Sequence, residues 1–326
     1  MNVRSFLPAL MAGAFVFAAL AVQPASARWP EKPVRLVVPY PPGGNVDVAA
    51  RVVAGRLQEM LGQPFIIENR AGAGGMIAGE YVAKAAPDGY TLLVSSNGPV
   101  LFSPLIFRRT SYQWRKDFVT IGSISFTPMA VVVHPALPAK NLNEFFALAR
   151  RDPAKITMGS SSAGSINHLA SELLQSAANT KWTTVHYKGN APAMTDLVGG
   201  QVQFSIEQVS SAMPFITDGR LRPLAVTSLK RVSSLPDVPT LDELGFKGFE
   251  AVTFTGLFAP AGIPGDIVQQ LNAALTKILV ERPVIEKFDG IGAEARASGA
   301  DEFLSYLQKE DAKWSPVIKQ ANVVAE

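Results

Sequence analysis

Short apolar runs alternate with amphipathic stretches along most of the chain. Residues 34–39 form an apolar run of strand length; Gly43 and Gly44 follow, and Val46, Ala49, Ala50, Val53, Leu57 and Leu61 then recur at helical spacing. Asn45 stands where a helix N-cap belongs and Gly62 where a helix stops. The unit repeats as a strand over 64–68, a glycine loop over 71–75, a helix over 76–86, a Pro87-Asp88-Gly89 turn and a strand over 91–95. Between residues 101 and 125 the alternation weakens. Arg108, Arg109, Arg115 and Lys116 surround Tyr112 and Trp114, and the segment reads as a surface excursion.

Strand-like residues 129–133 restart the pattern. A helix follows over 141–151, with Asn141 as cap and Glu144 in the favourable first turn. Strands over 155–160, 183–187 and 202–206 then alternate with helices over 166–178 and 192–198. Two further strands, 221–227 and 251–259, flank the proline-punctuated Leu235-Pro236-Asp237-Val238-Pro239. Ile267, Leu271, Leu275 and Ile278 mark a helix after Pro264, and residues 303–318 another. Such alternation predicts parallel α/β architecture. No fixed-period repeat emerges, and the pattern divides near residue 128 and again near 254.

Composition adds scale and address. At 326 residues and 48% apolar content the chain is long enough for two domains. A net charge of only +3 argues against nucleic acid as a partner. Residues 1–27 read as an export signal: Arg4 precedes an apolar run over 7–22, and Ala25-Ser26-Ala27 supplies small residues for cleavage. The competing reading is a membrane anchor, for which the run is short. With no cysteine there is neither a disulfide framework nor a thiolate metal site, and no lipid-modified cysteine. An exported protein of a bacterial periplasm fits these features.

Candidate chemistry lies in three loops, 40–47, 70–75 and 160–167, each built from small residues ahead of a helix. In open α/β sheets such loops present helix N-terminal amides to anions beyond the carboxyl ends of strands. Each is also explicable as an ordinary strand-to-helix turn. Specific nucleotide motifs fail: Ser165 stands where a P-loop needs Lys, and Ile77 occupies the third glycine position of a dinucleotide fingerprint. Gly159-Ser160-Ser161-Ser162-Ala163 approximates a nucleophile elbow but lacks its final glycine, leaving a serine hydrolase with Ser161 or Ser162 and His168 or His186 as an alternative. His134, His168 and His186 share no metal-ligand spacing, and no metal or redox cofactor is implied. Asp47 is explained by a helix start. Glu207, after a strand, is either a cleft acceptor for an amine, hydroxyl or water, or a solvated loop residue.

Taken in order, several motifs resemble one family. They are Trp29-Pro30-Glu31-Lys32-Pro33-Val34-Arg35, Val38-Pro39-Tyr40-Pro41-Pro42-Gly43-Gly44, Glu68-Asn69-Arg70-Ala71-Gly72-Ala73-Gly74-Gly75 and Pro87-Asp88-Gly89-Tyr90-Thr91-Leu92-Leu93. His168-Leu169-Ala170, Tyr187-Lys188-Gly189-Asn190-Ala191-Pro192-Ala193 and Leu235-Pro236-Asp237-Val238-Pro239-Thr240 continue the series. Together they are similar to the Bug-type (TctC-like) extracytoplasmic solute receptors of tripartite tricarboxylate transporters, over essentially the whole mature chain. The resemblance implies an α/β, two-lobed periplasmic-binding-protein-like fold with a ligand cleft between lobes. Lobe 1 would comprise 28–127 plus 255–326, and lobe 2 residues 128–254. It further implies a monomeric, non-enzymatic receptor that passes a small organic carboxylate to a membrane permease, with a sensor kinase as an additional partner. Ligand contacts carried over are Tyr40, Pro42, Gly43, Gly44, Asn45, Asp47, Ser95, Ser96 and Asn97 from lobe 1. Those from lobe 2 are Ser161, Ser162, Ser165, His168, Tyr187, Gly189, Ala191 and Glu207. Three positions depart from the family pattern: Glu207 stands where Asp is common, Phe102-Ser103-Pro104 where Asn-Pro is common, and Asn45 where a small hydroxyl residue is common.

Overall fold

The computed structural model describes residues 29–323. The export-signal reading of 1–27 therefore falls outside the described residues. In chain order the first half contains β1 (Val34–Val38), α1 (Asn45–Leu61), β2 (Phe65–Asn69), α2 (Met76–Ala83), β3 (Thr91–Ser96), α3 (Ser103–Ile106), α4 (Trp114–Asp117) and β4 (Phe118–Val133). Then come α5 (Leu142–Arg151), β5 (Thr157–Ser160), α6 (Ile166–Ala178), β6 (Thr183–His186), α7 (Asn190–Val198), β7 (Phe204–Gln208), α8 (Val209–Thr217) and β8 (Arg222–Val226). The chain closes with β9 (Val252–Pro260), α9 (Gly265–Ile278), α10 (Arg282–Gly290), β10 (Glu294–Ala295) and α11 (Ala300–Gln320).

The strands run in the order β2-β1-β3-β9-β4-β7-β5-β6, with β8 and β10 also pairing to β4. β1 is parallel to β2 and β3, and β5 is parallel to β6 and β7, so two parallel α/β units flank an antiparallel centre. β4 joins the two. Its residues Phe118 to Pro128 pair with β9, whereas Met129 to Val133 pair with β7 on one edge and Ala130 to Val133 with β8 on the other. Strand alternation then divides β4 between cores: Met129, Val131 and Val133 enter one apolar cluster, Ala130 and Val132 another.

One of these clusters runs from the β3 and α11 side of the fold to the α5 and α6 side. It contains Phe102, Trp314, Phe254 and Phe303 on one side and Phe145, Trp182 and Phe204 on the other. Edge-on ring contacts connect it, including Phe254 with Phe303 at 5.5 Å and Phe145 with Phe204 at 4.8 Å. Separate clusters lie under α1, α9 and α10, and under α7 and α8.

Local signals explain some element ends. Gly62 closes α1 with φ +76°, the left-handed conformation for which glycine is best suited. Asn141 Oδ1 accepts from Glu144 N at 2.9 Å, and Glu144 reaches back to Lys140 N at 2.7 Å. The structure differs from the sequence reading first in the sheet, which is mixed rather than parallel because β4 pairs antiparallel with β7, β8 and β9, and then in several local features. Gly44, not Asn45, caps α1, leaving Asn45 as the first helical residue. The expected excursion over 101–125 ends in strand: Tyr112 and Trp114 are buried, and residues 118–125 belong to β4. Small hydroxyl residues concealed that strand, because Thr120 and Ser123 are buried through bonds to the Ala300 and Arg296 carbonyls rather than by apolarity. Helices α8 and α10, which were not anticipated, follow β7 and α9.

Candidate functional site

At their carboxyl ends β1, β5, β6 and β7 each lead into a helix, α1, α6, α7 and α8 respectively, the first and second of them through the loops 40–47 and 160–167. The first turn of each helix has amides without intrahelical partners, and hydrogen bonds join the four starts: Asn45 to Gln208, Asn167 to Glu207, and Gly189 N to Ser161 O. Pro42, Gly43, Gly44, Ser162 and Ala191 are exposed, while Tyr40, Asn45, Ser161, Ser165, Tyr187 and Gly189 are half-buried. Asp47, Ser95, Ser96, Asn97, His168 and Glu207 are buried.

On the first lobe, Tyr40 Oη and Ser96 Oγ are 2.8 Å apart. Burial pushes the Tyr40 hydroxyl up to about 12, against the opposing effect of the Ser96 bond, so it stays neutral. Asp47 is a brace for the loop. Its carboxylate accepts from Gly43 N at 2.9 Å, Arg51 Nε at 2.9 Å and Asn69 Nδ2 at 2.8 Å. Burial opposes its ionisation, but the bonds from Arg51, Gly43 and Asn69 prevail and hold its pKa below the ordinary value. The Gly43 amide is thereby used within the loop. Asn97 is committed to the backbone of β9, donating to Val252 O at 3.2 Å and accepting from Phe254 N at 3.0 Å. Ser95 Oγ is buried without a hydrogen-bond partner.

On the second lobe a chain of polar contacts runs through the serine loop. Ser161 Oγ donates to Asn167 Oδ1 at 3.2 Å, and Asn167 Nδ2 donates to Glu207 Oε2 at 3.1 Å. Gln208 N donates to the other Glu207 oxygen at 2.8 Å. Burial pushes the Glu207 carboxyl up to about 7, although the bonds from Gln208 and Asn167 favour its charged form. Ser165 caps α6, accepting from His168 N at 3.3 Å, and Gly189 N donates to Ser161 O at 2.8 Å. Tyr187 spends its hydroxyl on Asp196 Oδ2 at 2.7 Å.

His168 Nδ1 accepts from Gly164 N at 3.0 Å, and its ring meets His186 edge-on at 4.5 Å. Burial, then the neighbouring His186, push His168 down to about 4, so it is neutral and serves as an acceptor. With Ser161 turned to Asn167 and His168 Nδ1 turned to Gly164, the hydrogen bond of a nucleophile to its base is not formed here. Among the described residues no His, Cys, Asp and Glu cluster could hold a metal, and no helix is long and apolar enough to cross a membrane.

Between the lobes, Asn45 Nδ2 donates to Gln208 Oε1 at 2.8 Å and to Ser210 Oγ at 3.3 Å. Gln208 also donates to Thr253 Oγ1 at 3.2 Å. Sequence reasoning missed Gln208, Ser210 and Thr253; recognising the start of α8 was the signal that would have found the first two. Two concavities lie apart from these loops. One is a groove of about 830 Å³ beside Arg35, Ile66 and Tyr81; the other is a 390 Å³ cavity beside Phe126, Leu229 and Arg296.

The two-lobed α/β fold is that of periplasmic solute-binding proteins, among them the periplasmic binding protein BugD at 34% identity and a TM-score of 0.76 over 91% of this chain and 100% of that one. Sequence comparison defines the chain further. Residues 49–323 match the sequence model of the tripartite tricarboxylate transporter family receptor. The chain belongs to that family, whose members are solute-binding receptors and not enzymes. It is 34% identical to Protein BugT of Bordetella pertussis (strain Tohama I) over 322 residues, covering 98% of each chain. A structure of an R. palustris protein with adipate is 35% identical and superposes with a TM-score of 0.80, over 91% of this chain and 99% of the other. MatC from Rhodopseudomonas palustris with bound malate is 32% identical with a TM-score of 0.75, over 89% and 100%. The hydrolase alternative thus gives way to a receptor.

Proposed function

We propose that this protein captures a small organic carboxylate in the cleft between its lobes and passes it to the membrane permease of a tripartite transporter. The observation that carries this reading is that the starts of α1, α6, α7 and α8 are joined by hydrogen bonds, Asn45 to Gln208, Asn167 to Glu207 and Gly189 to Ser161, with glycine or serine ahead of three of them. Amide donors and hydroxyls arranged in this way hold an anion without a formal ion pair. The adipate and malate carried by two relatives support the same ligand class. Closure follows if the anion interacts more favourably with the closed lobes than with the open ones.

In this reading lobe 1 comprises 28–127 and 255–326, lobe 2 comprises 128–254, and the change of partner along β4 after Pro128 supports that division. The protein acts as an exported periplasmic monomer whose signal is removed before Arg28. The loop around Tyr40, Gly44 and Ser96 would meet one end of the ligand, and that around Ser161, Ser162 and Gly189 the other. Asp47 and Asn97 hold these loops in place.

Gly44 offers a clean test. Its backbone is extended and a Cβ there would meet nothing within 4 Å, so Gly44→Leu fills the mouth without straining the chain. Thermal shifts are measured with malate, adipate, benzoate and aspartate against their amides. A carboxylate at 100 times its Kd stabilises the native protein by about 2.7 kcal/mol. We expect such a shift in the parent and its loss in folded Gly44→Leu. Equal shifts in both proteins would overturn the placement of the ligand.

A further inference from the structure

The two sides of the interlobe boundary are built differently. On the side of α11 and α6 the lobes share a continuous apolar core. On the side of α1 and α8 the helix starts meet through polar groups, with Asn45 Nδ2 between Gln208 Oε1 and Ser210 Oγ. The approach at Ser210 is close: a Cβ on Gly292 would come within 3.0 Å of the Ser210 backbone. Packing of the first kind resists separation through buried area. A pair of neutral hydrogen bonds at a half-exposed mouth can break and reform at low cost.

Gln208 occupies a junction in this arrangement. Its Oε1 receives Asn45, its Nε2 donates to Thr253 at the start of β9, and its backbone N–H donates to Glu207. The other Glu207 oxygen connects through Asn167 to the Ser161 hydroxyl. We propose that Asn45 and Gln208 form an interlobe latch that sets how often the unliganded protein is closed, and that a ligand beside Ser161 and Glu207 acts on this latch through the Gln208 peptide. Asn45 is then a closure residue, working on Gln208 rather than on the ligand. The coupling to ligand rests on the receptor reading above; the latch itself does not.

The absence of cysteine makes the test direct. Spin labels at Gln58→Cys and Asp218→Cys, both exposed, mark the far ends of α1 and α8, and pulsed dipolar spectroscopy reads their separation in ligand-free protein. Asn45→Ala and Gln208→Ala are made singly and together, each checked by near-UV circular dichroism for a native fold. Alanine is a strong helix former at Asn45. We expect Gln208→Ala, which removes one bond to Asn45, to shift the open-to-closed ratio about five-fold towards longer distances, and Asn45→Ala, which also removes the bond to Ser210, to shift it further. The double variant should add little to Asn45→Ala, because the bond from Asn45 to Gln208 is already gone in that variant. Unchanged distances in folded single variants, or fully additive shifts, would overturn the latch. Failure of every carboxylate to bind while these shifts are seen would instead count against the receptor reading.

Discussion

Asn97 Oδ1 accepts the backbone N–H of Phe254 at 3.0 Å, and the same side chain donates to Val252 O, so the end of β3 is fastened to the strand that returns between the lobes. The side chain is 1% exposed, and water cannot readily replace it. Asn97→Ala leaves a buried donor and a buried acceptor unpaired. We expect a loss of about 2–4 kcal/mol in unfolding free energy by chemical denaturation. A loss below about 0.5 kcal/mol, the size of an ordinary surface change, would show that the fastening is dispensable.

Gly79 lies on α2 against the ring of Tyr112, leaving no room for a Cβ. Gly79→Ala should therefore destabilise by about 1–3 kcal/mol through overpacking, although alanine is the better helix former. Denaturation midpoints check this, and stabilisation would mean that Tyr112 is free to move aside.

Tyr112 also shows what the sequence left hidden. Four cations around Tyr112 and Trp114 suggested a solvated loop, yet the cations are exposed while both aromatics are buried. Charge density in a window does not reveal which way each side chain turns. By contrast α6 was legible to the residue over Ile166–Ala178, because Ser165 caps it and its apolar spacing is unbroken. In the site, the glycine and serine loops were visible in the sequence. The roles of Asp47 and Asn97 were not, since their partners Asn69 and Phe254 lie 22 and 157 residues away.

Glu207 makes stability depend on pH in a defined direction. Burial raises its folded pKa to about 7 from an ordinary 4.5, so the native state keeps a proton that the unfolded state releases. Its contribution to stability therefore falls as pH rises from about 4.5 to 7. In Glu207→Gln this slope is absent. The difference in unfolding free energy between parent and variant should move steadily against the parent across that window. A difference independent of pH would show that Glu207 titrates normally.

Gly164 has φ +73°, and a Cβ would come within 2.6 Å of Ile106 Cδ1. Its amide also donates to His168 Nδ1. Gly164→Ala should displace the serine loop and cost about 1–3 kcal/mol in stability through backbone strain. Denaturation together with the NMR chemical shifts of the His168 ring checks both effects. An unshifted ring in a stable variant would contradict the assigned loop geometry.

Calorimetric titration of the mature protein, freed of co-purified ligand, with malate, adipate, benzoate and aspartate and with their amides tests the central claim most directly. The account predicts that at least one acid binds at one molecule per chain and that its amide does not. Absence of binding by every acid, or equal binding of acid and amide, would contradict it.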